Sequence, residues 1–263
     1  MEYTITEKDG IRMIDCIPLN KTGTAEAYYT VSFNVNIYKI MSGLETSKKN
    51  FATFCSVIGT DPGKVISNRL THHTDIVRCV NSNDIIDIFD EPIQPHADGL
   101  VTDDPGITLF LYAADCAIIG AVDPVNRVIG CCHAGWRGSL GKIIPNLIDA
   151  MESKYGSDRN DIVVQLMPMI CTKCFEVNED VAKQFASRGF AEYIVRSNGK
   201  PHIDLAGVNY KQLLDAGIRK RNLHNIELCT FCHNDLFESY RRGPIDEHGV
   251  HMNGANGFFI KLR

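Results

Sequence analysis

Apolar positions in this chain gather in short runs rather than long stripes, and the runs are densest in the middle. Residues 107–114 (ITLFLYAA) and 117–122 (AIIGAV) are uninterrupted apolar segments. They are too short for helices and read as buried strands. After the turn residues Asp123-Pro124-Val125-Asn126, residues 128–132 form a third such run, and 162–167 a fourth. Residues 28–37 (YYTVSFNVNI) alternate in part and predict an earlier strand. Phe51, Phe54, Cys55 and Ile58 recur at helical spacing. They predict a helix over 46–58 that stops at Gly59, with Asp61-Pro62-Gly63 as the turn. Short strands at 65–66 and 76–80 should bracket Thr71-His72-His73-Thr74, followed by a polar loop over 81–97. Helices are expected over 139–155, 178–188 and 208–220, and short strands around an irregular charged stretch over 226–263. No repeat, low-complexity tract or linker divides the chain. The expectation is one α/β domain of α+β type over residues 1–263, with a central mixed sheet flanked by helices.

Composition narrows the function. The 263 residues suffice for a substantial core, and 44% hydrophobic with 22% charged residues is ordinary for a globular protein. With 27 Lys and Arg against 32 Asp and Glu, the net charge is -5. No basic excess is present to neutralise phosphates, so nucleic acid is not an expected partner. No apolar run approaches the roughly 18 to 20 residues that span a bilayer, so no membrane association is expected. Met1-Glu2-Tyr3-Thr4 does not begin a basic-then-apolar leader, which predicts a cytoplasmic protein. In that compartment the 10 cysteines read as reduced thiols, most of them small core hydrophobes.

The chemistry centres on Cys116 and His133, each at or beside the end of a buried run. A strand end is a rigid platform and the loop beside it gives access. Gly135 and Gly138 permit close backbone approach after His133, and Arg137 beside the single Trp136 offers a planar cationic fork. Cys and His within reach form either a nucleophile pair or zinc ligands, the alternative being a buried Cys and a satisfied core His. His72 and His73 are adjacent, so on an extended segment only one can face the same site. A Cys-His-His set with an open fourth position is a catalytic rather than a structural zinc arrangement. Glu176 is a possible acid, base or ligand-orienting group, or else a surface carboxylate. Arg242, with Arg241, could hold a phosphate or ribose, as could Arg69 beside the His pair, although such arginines are more often solvated. Two CxxC pairs, Cys171/Cys174 and Cys229/Cys232, suggest a closed four-Cys zinc site. The long interval 175–228 argues instead for core residues or a redox-labile pair.

Ala97-Asp98-Gly99-Leu100-Val101-Thr102, Ala114-Asp115-Cys116 and His133-Ala134-Gly135-Trp136-Arg137-Gly138 resemble the core motifs of the YfiH/laccase-domain family. Members of that family are also called polyphenol oxidase, purine nucleoside phosphorylase or peptidoglycan editing factor-like. Cys174-Phe175-Glu176-Val177, Cys229-Thr230 and Ser239-Tyr240-Arg241-Arg242 agree, so the resemblance runs from about residue 59 to the C-terminus. It implies a compact domain of YfiH-like, cytotoxic-necrotizing-factor-like fold, with one Cys and two His around a metal at a surface pocket. The metal it implies is zinc in most members and copper in those called laccases. Cys116 and His133 match directly, and His72 matches the family's first His, with His73 as the alternative.

The resemblance implies a purine nucleoside enzyme, acting on adenosine or inosine with phosphate and possibly deaminating adenosine. Arg137 or Arg242 would hold phosphate, and His133 or Glu176 would supply a proton. A copper polyphenol oxidase acting on phenolic compounds is the alternative. A single Cys-His-His copper suits it better than a multicopper centre, because no His-x-His pair occurs in the sequence. A metal-free hydrolase of cell-wall precursors, with Cys116 as nucleophile and His133 as base, is a third reading. A non-enzymatic partner-binding domain is the fourth.

Overall fold

The computed structural model describes residues 1–31, 44–72, 76–89, 95–245, 247 and 254–263. His73 and the second half of the strand expected over 28–37 fall outside them. Among the described residues, fourteen strands follow in chain order. They are β1 (Tyr3–Lys8), β2 (Ile11–Cys16), β3 (Ala25–Thr30), β4 (Val65–Ile66), β5 (Val77–Cys79), β6 (Gly99–Thr102) and β7 (Thr108–Ala113), then β8 (Ala117–Asp123), β9 (Val128–Ala134), β10 (Val163–Leu166), β11 (Ile194–Ser197), β12 (Lys200–Ile203), β13 (Leu223–Asn225) and β14 (Asn256–Leu262). The expected mixed sheet is two six-stranded mixed sheets, ordered β1-β2-β3-β14-β7-β4 and β13-β10-β8-β9-β6-β5. A separate hairpin pairs β11 with β12.

Period-two alternation explains how the sheets stack. Along β14, Phe258 and Ile260 share a core with Ile118 and Val122 of β8, so these residues lie between the sheets. Phe259 points the other way, into a cluster with Phe110, Phe51 and Phe54 under the helix Leu44–Val57. Ala117, Ile119 and Ala121 of β8 face a third cluster. There the helix Ile143–Tyr155 contributes Ile144, Leu147, Ile148 and Met151. The order of layers is therefore helix, sheet, sheet, helix. At Gly120 the sheets approach so closely that a Cβ would stand 2.6 Å from Cζ of Phe258. Each fully buried Leu, Ile or Phe contributes about 1.5–3 kcal/mol. An exposed pair such as Arg196–Glu179 is screened by solvent and adds little, so burial dominates stability.

Three expected elements differ, the helix expected over 208–220 running instead over Leu205–Asp215. The helix expected over 139–155 is two helices, Trp136–Leu140 and Ile143–Tyr155, broken where Gly141 ends the first and Lys142 takes φ +69°. The second helix stops at Gly156 (φ +70°), whose N–H donates to the Glu152 carbonyl at 2.9 Å. In the tail, β14 is a single strand between β3 and β7. Both its edges are paired and both its faces covered, which is why Gly257 to Ile260 is apolar throughout. No helix among the described residues is long and apolar enough to cross a membrane.

Candidate metal centre and its cavity

The β8–β9 hairpin sets the site. Its register pairs Ala117 with Ala134 and Ile118 with His133, so Cys116 and Gly135 emerge together at one end. Ile129, Cys131 and His133 alternate onto the same face of β9, and His133 is 1% exposed. His72 arrives from the segment between β4 and β5. The sequence reading treats that segment as extended, but His72 has φ +62°, in the left-handed region. Side chains there cost of order 1–3 kcal/mol and persist only where the surroundings enforce them. Asp98 supplies the enforcement: its Oδ1 accepts the Thr71 and His72 N–H groups at 3.3 and 3.4 Å. Asp115, beside Cys116, is the second such residue, at φ +78°. Its carboxylate accepts from Thr230 Oγ1 at 2.6 Å, Ser239 Oγ at 2.9 Å and the Arg241 N–H at 2.8 Å. Its carbonyl accepts the Ile170 N–H at 3.0 Å.

These constraints converge three donors. One ligating atom each from His72, Cys116 and His133 lies within 4.8 Å of the others. The two imidazole rings meet edge to face, with centroids 4.5 Å apart. Gly135 closes the fourth side: a Cβ there would stand 3.0 Å from Cys116 Sγ and 3.3 Å from His133 Cε1. The room a ligand or ion needs thus exists only because residue 135 has no side chain.

Electrostatics pull the group together. Burial pushes the Cys116 thiol up, but the facing His133 charge and hydrogen bonds from His133 and His72 outweigh it and bring the thiol down to about 6. Burial pushes His133 down, and the Cys116 thiolate with Asp98 overrides it, raising the imidazole to about 9. Near neutral pH the ligand-free pair is therefore thiolate and imidazolium. Asp98 is fully buried and its Oδ1 stands 3.7 Å from His133 Nδ1, an ion-pair contact too long for a hydrogen bond. The Asp98 carbonyl also accepts the His133 N–H at 2.7 Å.

A cavity of about 640 Å³ opens over this group, with His72, Cys116 and Gly135 in its lining and His133 buried beneath. Trp136, Ile170, Phe175, Val181 and Leu205 make apolar walls. Arg137, Glu176, Tyr240 and Arg241 supply polar groups. The Arg137 guanidinium lies 4.1 Å over the Trp136 ring. Arg241 donates to the Glu176 carbonyl at 2.7 Å and lies 5.5 Å over Phe175. The Glu176 carboxylate meets Lys200 Nζ at 2.7 Å, which holds it below the usual carboxylate range and so ionised at neutral pH. Arg242 does not line the cavity; it donates to the Phe231 carbonyl at 2.6 Å. Arg69 is likewise absent from the lining and makes a backbone bridge with His96.

Asp98, Asp115 and Tyr240 are cavity or supporting residues that residue-by-residue reasoning did not single out, whereas Arg241 was named with Arg242 and it is Arg241 that lines the cavity. The available signal was an acidic residue inside an apolar run, Ala97-Asp98-Gly99 and Ala114-Asp115-Cys116. A carboxylate buried in such company is there for its partners. The four cysteines of the two CxxC pairs also come together, with sulfurs all within 4.8 Å of one another.

Known proteins resemble the chain in sequence and in fold. Residues 16–256 match the family model described as multi-copper polyphenol oxidoreductase laccase. The purine nucleoside phosphorylase of Bacteroides thetaiotaomicron is 35% identical over 149 residues, which cover 55% of this chain and 55% of that protein. The chain thus spans about half the length of that relative. Adenosine deaminase RL5, from an unknown prokaryotic organism, is 31% identical over 195 residues, covering 72% of this chain and 74% of that one. Among solved structures, the Bacillus licheniformis hypothetical protein YfiH superposes with a TM-score of 0.84 at 26% identity, covering 97% of this chain and 98% of its own.

Proposed function

The chain belongs to the family described as multi-copper polyphenol oxidoreductase laccase, and on that premise we propose that it is a metal-dependent purine nucleoside enzyme. Phosphorolysis of adenosine or inosine is its main reaction, with adenosine deamination as a further one. The observation that carries the reading is the convergence of the His72, Cys116 and His133 donor atoms on the floor of a cavity with apolar aromatic walls. Relatives named purine nucleoside phosphorylase and adenosine deaminase support it.

The donor set fits one zinc ion. A thiolate and two imidazoles are its favoured ligands, and three protein ligands leave a position open. Gly135 keeps a side chain from crowding Cys116 Sγ and His133 Cε1. His133 Nδ1 stands 3.7 Å from Asp98 Oδ1, an ion-pair contact that would leave Nε2 for the ion. Bound there, zinc would supply Lewis acidity and a water acidified to near neutral pH. The set does not fit a multicopper centre: among the described residues, the only other cluster able to hold a metal is the four-cysteine one.

The remaining work falls to the chain's own side chains. Phe175, Trp136 and the aliphatic walls take the flat purine and keep water from its face. Arg137 and Arg241 hold the phosphate dianion beside the sugar, each already oriented by the ring beneath it. Glu176, ionised against Lys200, accepts hydrogen bonds from ribose hydroxyls rather than donating a proton. The test is incubation of inosine and adenosine with and without phosphate. Ribose 1-phosphate formed only with phosphate, together with free base, is the expected result. No ribose 1-phosphate from either nucleoside together with no inosine from adenosine would refute the reading.

The copper reading keeps one specific support, the description of the family as polyphenol oxidoreductase. It requires copper in the same three-donor site and oxidation of a phenol in the same cavity, with dioxygen as the oxidant. Oxygen uptake with a catechol on copper-loaded protein, absent from zinc-loaded protein, distinguishes it.

A further inference from the structure

We propose that Cys171, Cys174, Cys229 and Cys232 form a second metal site, a closed tetrahedral zinc that staples two walls of the cavity together. It is independent of the Cys-His-His reading and uses none of its residues.

The sequence argues against such a site because the interval 175–228 is too long for a zinc ribbon. The fold removes that objection. β10 and β13 run parallel, with Leu166 opposite Asn225, so the two chains leave the sheet side by side. They stay together: Met169 bridges Cys229, the Met169 N–H donates to the Leu228 carbonyl at 3.3 Å, and the Thr230 N–H returns to the Met169 carbonyl at 3.2 Å. Each chain then makes a tight turn at its CxxC. Cys174 and Phe175 N–H groups both donate to the Cys171 carbonyl at 3.0 Å, and the His233 N–H donates to the Cys229 carbonyl at 3.0 Å. The intervening residues are an excursion that begins and ends at the same place.

The sulfur geometry matches the ion. Zinc–sulfur bonds of about 2.3 Å place tetrahedral sulfurs roughly 3.8 Å apart. Here all four sulfurs are within 4.8 Å of one another and Cys174 Sγ stands 3.5 Å from Cys232 Sγ. A disulfide needs two sulfurs in reach; four mutually close thiols are what a four-coordinate ion needs. The Cys171 N–H donates to Cys229 Sγ at 3.2 Å, a bond that offsets thiolate charge. Arg242, held on the Phe231 carbonyl inside the second turn, brings a cation to the same place. Four soft thiolates with no open position select zinc and give a structural rather than a reactive centre.

The consequence reaches the cavity. Phe175 and Glu176 follow Cys174 directly and line it. Thr230, between Cys229 and Cys232, donates to the Asp115 carboxylate, and Asp115 precedes Cys116. The zinc thus fixes the wall and the loop that presents the first site's thiolate.

The test needs no substrate. In the full-length protein purified without added metal, Cys232 is exposed, as is Cys79, which belongs to neither cluster. Labelling with N-ethylmaleimide followed by peptide mass spectrometry should modify Cys79 at once and spare Cys232 until a chelator is added. The variant H72A/C116A/H133A removes the other donor set. It should still hold one zinc per chain, with an X-ray absorption first shell of four sulfurs. Cys232 labelled as fast as Cys79 would overturn the proposal, as would a Cys174–Cys232 disulfide. A stable triple variant with no bound zinc would overturn it too. Loss of activity in the wild-type protein with Cys232 still protected would count against the nucleoside reading alone.

Discussion

Two groups of side chains with metal-ligating atoms lie near one cavity wall, and they differ in what they leave open. The group of Cys116, His72 and His133 has three donors and a glycine where a fourth side chain would project. The group of Cys171, Cys174, Cys229 and Cys232 has four donors from two tight turns. The first is fixed by two left-handed residues, His72 and Asp115, and by two buried carboxylates, Asp98 and Asp115. The second is fixed by a parallel pair of chains running off β10 and β13. Left-handed backbone collects at the open group, and none of the four cysteines of the closed one adopts it. That is the pattern expected when one site reacts and the other holds the wall in place.

The largest break in this comparison should come from Cys116→Ala. Nucleoside turnover should fall to background while the far-ultraviolet circular dichroism and melting temperature stay near those of the unaltered protein. Asp98→Asn keeps the shape but removes the charge behind His133. It should lower zinc affinity or activity by about 10- to 100-fold, as loss of a ligand's supporting group does. Competition against a chromophoric chelator measures the affinity. A pH series sharpens the same point. Cys116 is shifted down, so in metal-free protein its alkylation rate should rise with a midpoint near 6, whereas an ordinary thiol has a midpoint near 9. Removing the imidazolium by His133→Ala should move that midpoint up. The smallest contrast is between neighbouring arginines. Arg241→Ala should raise KM for phosphate, while Arg242→Ala, outside the cavity, should leave KM for phosphate nearly unchanged.

The central strands were legible because burial on both faces writes continuous apolar runs, and β7 to β10 fall within a residue or two of their expected bounds. The Cys116–His133 pairing was legible for the same reason, since both sit at the ends of those runs. The division into two sheets was not, because adjacency between β7 and β14 or β9 and β6 is set by packing across distant segments. The break at Gly141-Lys142 was hidden by helical spacing that continues across it. The choice between Arg241 and Arg242 turns on side-chain direction, which adjacency in sequence does not encode. The distance between the CxxC pairs hid their proximity for a related reason: spacing rules assume local closure, and here a parallel ladder brings the pairs together.

The account rests on one ion held by Cys116, His72 and His133 acting on a nucleoside. The most direct measurement is ribose 1-phosphate formation from inosine and phosphate by metal-depleted protein, before and after one equivalent of zinc is restored, in the unaltered chain and in Cys116→Ala. The account predicts product only in the zinc-restored unaltered chain; equal product from Cys116→Ala would contradict it.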